Sequence, residues 1–273
     1  MNEIDFPRSE ALPAPYAQLD SYRGRFTALS PNAAAAANPA TITWRLPLVG
    51  GGVRTELATP DLLNLELQAA DPFEFRKRYP RQKNIQGLLY FASTGEHVWH
   101  ESELEAHVMR RYDMRGDVVA IAAQPFRIDF ADGADHIPDL LLYLADHRQV
   151  VVDVKPAKFL PKAMRQFEKT HAVCKAVGWD YDIHWEASRQ VTVNVDRLSY
   201  FKNPGYYPGD ERLQRMLAWL TEPRPLVQAA IALDPPTVPE GRSAVLHLVW
   251  AGVLTLDLSK PINDTTLIGK ANA

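Results

Sequence analysis

Apolar and polar positions alternate most legibly between residues 138 and 155. Leu140–Leu144 and Gln149–Val154 are runs of strand length, split by the polar Asp146-His147-Arg148. Two such runs about a short polar turn predict a β-hairpin. Asp139 opens the first strand. Asp153 and Lys155 are two apart near the end of the second, so they share a face while Val154 points the other way, into the core. Pairing 140–144 with 150–154 brings Asp139 close to Lys155. Two carboxylates and one ammonium then meet at one end of a strand pair.

The same pattern reading sorts the rest of the chain. Residues 1–40 carry Pro7, Pro13, Pro15, Pro31, Pro39 and the run Ala33 to Ala37, and read as a flexible arm. Residues 41–85 read as an extension. Its strand runs from Thr41 to Val49 and ends at Gly50-Gly51-Gly52, and its helix centres on Leu62–Ala70. The extension ends in a basic run in which five of the eight residues 76–83 are positive: Arg76, Lys77, Arg78, Arg81 and Lys83. With Tyr79 among them these suit phosphate contacts, and they equally suit a solvated loop. Gly87–Ala92 and Glu96–Trp99 predict a second hairpin. Ser102 with Glu105 three later predicts a helix start with a capping box. Leu104, Val108 and Tyr112 form its buried stripe. Glu105 thus has a structural role as the cap and a chemical one as an acid facing the hairpin.

Residues 117–122 and 124–130 read as strands, with Gln124 beside the candidate site. Pro161 to Val177 predicts a helix, Pro161 near its start and Gly178 just past its end. Lys158, Lys162, Arg165 and Lys169 lie on one side of it; Phe167, Cys174 and Val177 mark the buried side. Residues 179–185 read as a strand, and 191–201 fit either a strand or a helix. A boundary is expected at the Pro/Gly/Tyr-rich stretch 203–209, which closes a domain over 86–203. Beyond it, helices at 210–221, 225–233 and 242–250 and short strands at 254–258 and 265–268 match a winged helix over 210–273. A plain helical extension is the alternative.

Composition narrows the classes. With 46% hydrophobic and 23% charged residues the chain has material for more than one core. One cysteine, Cys174, excludes an intrachain disulfide and a cysteine-based zinc site. No run of about 18 apolar residues could span a membrane. The first residues lack a basic-then-apolar secretory pattern, so a cytoplasmic protein is expected. A net charge of −3 does not announce nucleic-acid binding, though clustered positive charge matters more than the sum. Eight histidines show no helical His-x₃-His or His-Glu-x-x-His spacing, which disfavours a zinc hydrolase. No Gly-x-Ser-x-Gly or Walker-type loop occurs, which disfavours a serine hydrolase or an ATPase.

Paired carboxylates beside a lysine suit phosphodiester hydrolysis. Hard cations such as Mg²⁺ or Mn²⁺ take oxygen ligands, and here Glu105, Asp139, Asp153 and the backbone carbonyl of Val154 are the candidates. Such a cation activates water and offsets charge on the phosphate. Lys155 can orient or deprotonate that water or stabilise developing charge.

The order Ser102-Glu103-Leu104-Glu105, Gln124-Pro125, Pro138-Asp139, Val151-Val152-Asp153-Val154-Lys155-Pro156 resembles the PD-(D/E)xK nuclease superfamily. In particular it resembles TnsA, the endonuclease subunit of heteromeric cut-and-paste transposases. The resemblance runs from Thr94-Gly95-Glu96 to Pro156-Ala157, 64 residues. It implies an α/β fold, a restriction-endonuclease-like mixed sheet flanked by helices, with a C-terminal winged-helix-like α+β domain. It implies Glu105 as a catalytic acid, Asp139 as a metal ligand and Lys155 as base or charge stabiliser. Some members carry Gln where this chain has Asp153. The implied partners are double-stranded DNA at transposon ends, a DDE-type transposase and an AAA+ ATPase regulator, in a bacterial cytoplasm. The alternatives are a stand-alone restriction-type nuclease and a non-catalytic winged-helix DNA-binding or scaffold protein on a nuclease-like core.

Overall fold

The computed structural model describes residues 23–24, 26, 28, 30–47, 51–73 and 85–271. The expected basic contacts Arg76, Lys77, Arg78, Arg81 and Lys83 lie outside these residues, as does most of the expected flexible arm. In chain order the elements begin with β1 (Arg23–Gly24), α1 (Pro31–Ala36), β2 (Thr41–Arg45) and β3 (Val53–Leu57). Then come β4 (Gly87–Phe91), β5 (Glu96–His100), α2 (Glu103–Arg115), β6 (Val118–Ala123), β7 (Arg127–Asp129) and β8 (Asp135–His136). The hairpin is β9 (Leu140–Leu144) and β10 (Gln149–Val154), followed by α3 (Leu160–Val177) and β11 (Asp180–His184). The chain ends with α4 (Arg189–Ser199), α5 (Asp210–Trp219), β12 (Arg224–Pro225), α6 (Leu226–Ala232), α7 (Val238–Trp250), β13 (Leu254–Thr255) and β14 (Leu267–Lys270). The result is a mixed α/β architecture. No helix among the described residues is long and apolar enough to cross a membrane.

The chain divides into two compact units. Asp117–Glu186 joins the described residues up to Met109, and Arg110–Gly116 joins the chain from Ala187 onward. The first unit is built on a five-stranded sheet ordered β1-β11-β10-β9-β6. β10 runs antiparallel to β9 and parallel to β11, so the sheet is mixed. Leu140, Leu142, Val150 and Val152 face one side, and Leu141 and Val151 the other; all are at most 2% exposed. Burial on both faces is why these strands read as near-continuous apolar runs. Leu141, Val151 and Ile183 share a buried cluster with Phe167, Cys174 and Val177 of α3 and Ala33 and Ala36 of α1. Gly178 stops α3 at φ +99°, a left-handed conformation that glycine adopts without a Cβ clash.

Several expectations need correction. The described part of the arm is not structureless: Ser30 Oγ accepts from Ala33 N at 3.2 Å and caps α1. Its alanines are a packing face, small enough to lie close against α3. Residues 41–73 are no separate extension, because β2 pairs with β7 in a second sheet ordered β3-β2-β7-β8. The expected helix around Leu62–Ala70 is two short 3₁₀ turns, Pro60–Asn64 and Leu67–Ala69. The two fully buried leucines, Leu62 and Leu67, are five apart and cannot share one α-helical face.

The boundary lies at residues 186–187, not at 203–209. α4 belongs to the second unit because Asn194, 1% exposed, donates to the carbonyls of Leu258 and Lys260 at 2.8 and 2.7 Å. Those bonds decide the strand-or-helix ambiguity of 191–201 in favour of helix. The second unit carries α5, α6 and α7 and a three-stranded antiparallel sheet ordered β12-β14-β13. α6 and α7 touch at Gly241, where a Cβ would meet the Ala230 carbonyl oxygen at 2.5 Å.

Candidate active site

The β9–β10 hairpin forms with the expected register, Val152 opposite Leu140. Asp139, just before β9, lies against this end of β10. Asp139 N–H donates to the Val152 carbonyl at 3.1 Å, and Val154 N–H donates to Asp139 Oδ2 at 2.6 Å. Val154, expected to lend its carbonyl to a cation, thus touches Asp139 through its N–H. Lys155 N–H continues the parallel ladder to the His184 carbonyl at 2.9 Å. Its side chain is half-buried.

Glu105 comes from the first turn of α2, and the capping box is present. Glu105 N–H donates to Ser102 Oγ at 3.2 Å, and Ser102 Oγ donates back to Oε1 at 2.8 Å. Oε2 accepts from Glu101 N–H at 2.8 Å. An ionised carboxylate offers about four acceptor positions, so capping leaves some of them for another ligand. The structural and chemical roles of Glu105 are compatible.

The acids act on one another. Asp139 is half-buried as a residue, but its carboxyl group is the enclosed part. That burial pushes it well above its ordinary value of 3.8, and the charges of Glu105 and then Asp153 push the same way. The Val154 N–H and the Lys155 charge oppose the rise. Burial likewise raises Glu105, against its backbone and Ser102 hydrogen bonds, and the Glu101 carboxylate adds to the rise.

Asp153 departs from expectation. It is 2% exposed. Both of its oxygens lie 2.9 Å from His136 Nε2, and Tyr181 OH donates to Oδ2. Its carboxylate is committed to those donors and is not turned out as a third ligand. Among the described residues, no three His, Cys, Asp or Glu side chains stand ready-made around a cation position. The donor set still fits Mg²⁺ or Mn²⁺. Mg²⁺ is commonly held by one or two carboxylates, with waters and substrate phosphates completing the shell. Asp139 and Glu105 supply the two; burial above all, and then neighbouring carboxylates, raise their affinity for protons.

Gln124 sits at the end of β6 with φ +45°. Its N–H donates to the Asp139 carbonyl at 2.8 Å, its carbonyl accepts from Phe73 N–H at 3.0 Å, and its side-chain Nε2 donates to Glu101 Oε2 at 3.1 Å. Gln124 thus touches the candidate site through Asp139's backbone and through Glu101. Glu101, His136, Tyr181 and Gln166 went unforeseen. Glu101 was within reach of the sequence, as an acid one residue before the cap. The other three meet Asp153 or His136 only through tertiary pairing.

The cationic face of α3 divides. Lys158, Lys162 and Arg165 are exposed. Lys169 is 9% exposed and bonds Asp132 at 2.8 and 3.1 Å, with its ammonium 4.7 Å from the Phe130 ring centre. It is held in an ion pair with the exposed Asp132 and is no part of an exposed phosphate-binding row.

Comparison with models of known protein families gives no match, and neither does comparison with curated protein sequences.

Proposed function

We propose that this chain is a divalent-cation-dependent DNA endonuclease that works as a TnsA-like subunit of a heteromeric transposase. One observation carries the reading. The β9–β10 hairpin brings Asp139, just before β9, to the end of β10 that carries Asp153 and Lys155, and the Glu105 charge acts on the same carboxyl group. Three acids gathered against one lysine cost stability unless a cation offsets them, and such arrangements mark working sites. Asp139 and Glu105 would hold the cation. When bound, Mg²⁺ lowers the pKa of a water ligand and offsets charge on the phosphate. Lys155 lies at the open end of β10, where its ammonium can orient the attacking water or stabilise charge on the phosphate oxygens. Helices α5, α6 and α7 and the small antiparallel sheet of the second unit support the reading of a winged-helix-like domain that docks the nuclease onto partners or DNA.

The test is strand-cleavage mapping on transposon-end DNA with the partner transposase present. Lys155→Ala is expected to slow 5′-strand cutting by about 10²-fold or more without unfolding the domain. Cutting at the wild-type rate would remove Lys155 from the chemistry. Cutting without the partner at full rate would favour the stand-alone nuclease instead.

DNA contact is proposed for the exposed part of α3. Neutralising Lys158, Lys162 and Arg165 together should weaken DNA binding. It should also flatten the log–log salt dependence by about 0.9 for each phosphate these cations no longer neutralise. Lys169→Ala should leave that slope alone and lower stability, since it breaks a partly enclosed ion pair. Equal slopes for wild type and the triple variant would assign these charges to solvation.

A further inference from the structure

We infer that His136 is a positioning residue of the carboxylate site: with Tyr181 it fixes Asp153 as a negative charge beside Asp139 and keeps it from acting as a cation ligand. The inference rests on the cation-site reading above.

The hydrogen bonds set a direction. An ionised carboxylate only accepts, so His136 donates from Nε2 to Asp153. Gln166 Nε2 is a donor, so His136 Nδ1 accepts from it. Both ring nitrogens are thereby used. Tyr181 OH donates to the same carboxylate. The side chains of His136 and Asp153 are 10% and 3% exposed, so water cannot readily replace these donors.

Four elements contribute. Asp153 is on β10, His136 on β8, Tyr181 on the parallel neighbour β11, and Gln166 on α3. Asp139, Val151, Asp153 and Tyr181 all lie on the sheet face that α3 covers, by alternation and by their shared core. Turning Asp153 outward to a cation would strand a buried imidazole N–H and a buried phenol O–H together. Held where it is, Asp153 adds attraction for a cation through space, and its charge already acts on Asp139.

The experiment measures Mn²⁺ affinity of the full chain by electron paramagnetic resonance, with melting curves alongside. Asp139→Asn is expected to remove binding. Asp153→Asn should weaken it by about 10-fold at unchanged stoichiometry, the low end of what partners of metal ligands contribute. His136→Ala should weaken it by a similar factor and add nothing further in the Asp153→Asn background, since the two act as one unit. His136→Gln, which keeps an N–H donor, should recover most of the loss. A measurement without mutation complements these: the His136 ¹⁵N signals should keep the Nε2–H tautomer and its hydrogen bond at saturating Mg²⁺.

Loss of binding in Asp153→Asn as complete as in Asp139→Asn would make Asp153 a ligand and overturn the inference, with the cation site intact. So would loss of the His136 Nε2 hydrogen bond on adding Mg²⁺. A His136→Ala variant with lowered melting temperature but wild-type Mn²⁺ affinity would make His136 purely structural. Absence of Mn²⁺ binding in the wild type would overturn the cation site itself.

Discussion

On the proposed TnsA-like function, Asp139→Asn is expected to turn the simple insertions made with a partner transposase into cointegrates. The resemblance to TnsA assigns the 3′ ends and their joining to the partner, and the 5′ strands to this chain. Hydrolysis here needs only water as nucleophile, so losing the cation site should stop 5′ cutting and leave the partner's joining intact. A fall of about 10²-fold or more in 5′-strand cutting corresponds to about 2.7 kcal/mol in the barrier. The joined intermediate then keeps its donor DNA through replication. Asparagine is preferable to alanine because Asp139 Oδ2 is the acceptor for Val154 N–H, and alanine would leave that donor unpaired. Glu105→Gln should give the same products while keeping an acceptor for the cap. Long-read sequencing of insertion products decides it. Simple insertions at wild-type frequency from both variants would dismiss the cutting role, whatever the fold.

The second large effect is a pH-dependent response to cations. Asp139 and Glu105 both hold protons more tightly in the folded chain than their ordinary values imply. A raised carboxylate stabilises the fold at low pH. That contribution is lost as pH rises from the ordinary value near 3.8 through the raised folded value. Without cation, stability attributable to this site therefore declines with rising pH, and Asp139→Asn should flatten the decline. A cation must displace the protons, so its affinity rises by up to about tenfold per pH unit for each proton displaced. Thermal melts across pH and Mn²⁺ concentration should show a stabilisation by Mn²⁺ that grows as pH rises through the raised carboxyl values. A hundredfold excess over Kd contributes about 2.7 kcal/mol. At roughly 2–4 °C per kcal/mol for a domain of 150–250 residues, that is a shift of several degrees. A Mn²⁺ effect independent of pH, or one that persists in Asp139→Asn, would rule out this coupling.

What could be read from the sequence was what local pattern dictates. The hairpin was legible because strand period, turn and motif coincide within residues 138–155. The α2 start was legible because Ser102 and Glu105 form their bonds within one turn. α3 was bracketed by Pro161 and Gly178. What escaped depends on distant pairing. His136 and Tyr181 reach Asp153 from positions 17 and 28 residues away. No spacing rule announces that. Lys169 looked like one more cation in a helical row until Asp132, 37 residues earlier, came to lie against it. α4 has strand-like valines, and the carbonyls that Asn194 bonds are more than 60 residues further on. The resemblance supplied the ligand set but not the occupancy of Asp153, because a motif names residues and not their hydrogen-bond partners.

Gln124 carries a choice between amide and acid. Its side chain meets Glu101 at 3.1 Å, and that carboxylate already acts on Glu105. A glutamate at this corner would match it in size but would replace an attractive contact with a repulsive one. It would also extend the chain of acids from Asp153 through Asp139, Glu105 and Glu101 by one more member. The amide ends that chain with a donor. The negative charge of the site is thus given an edge, on the side where the Asp139 backbone is tied to β6.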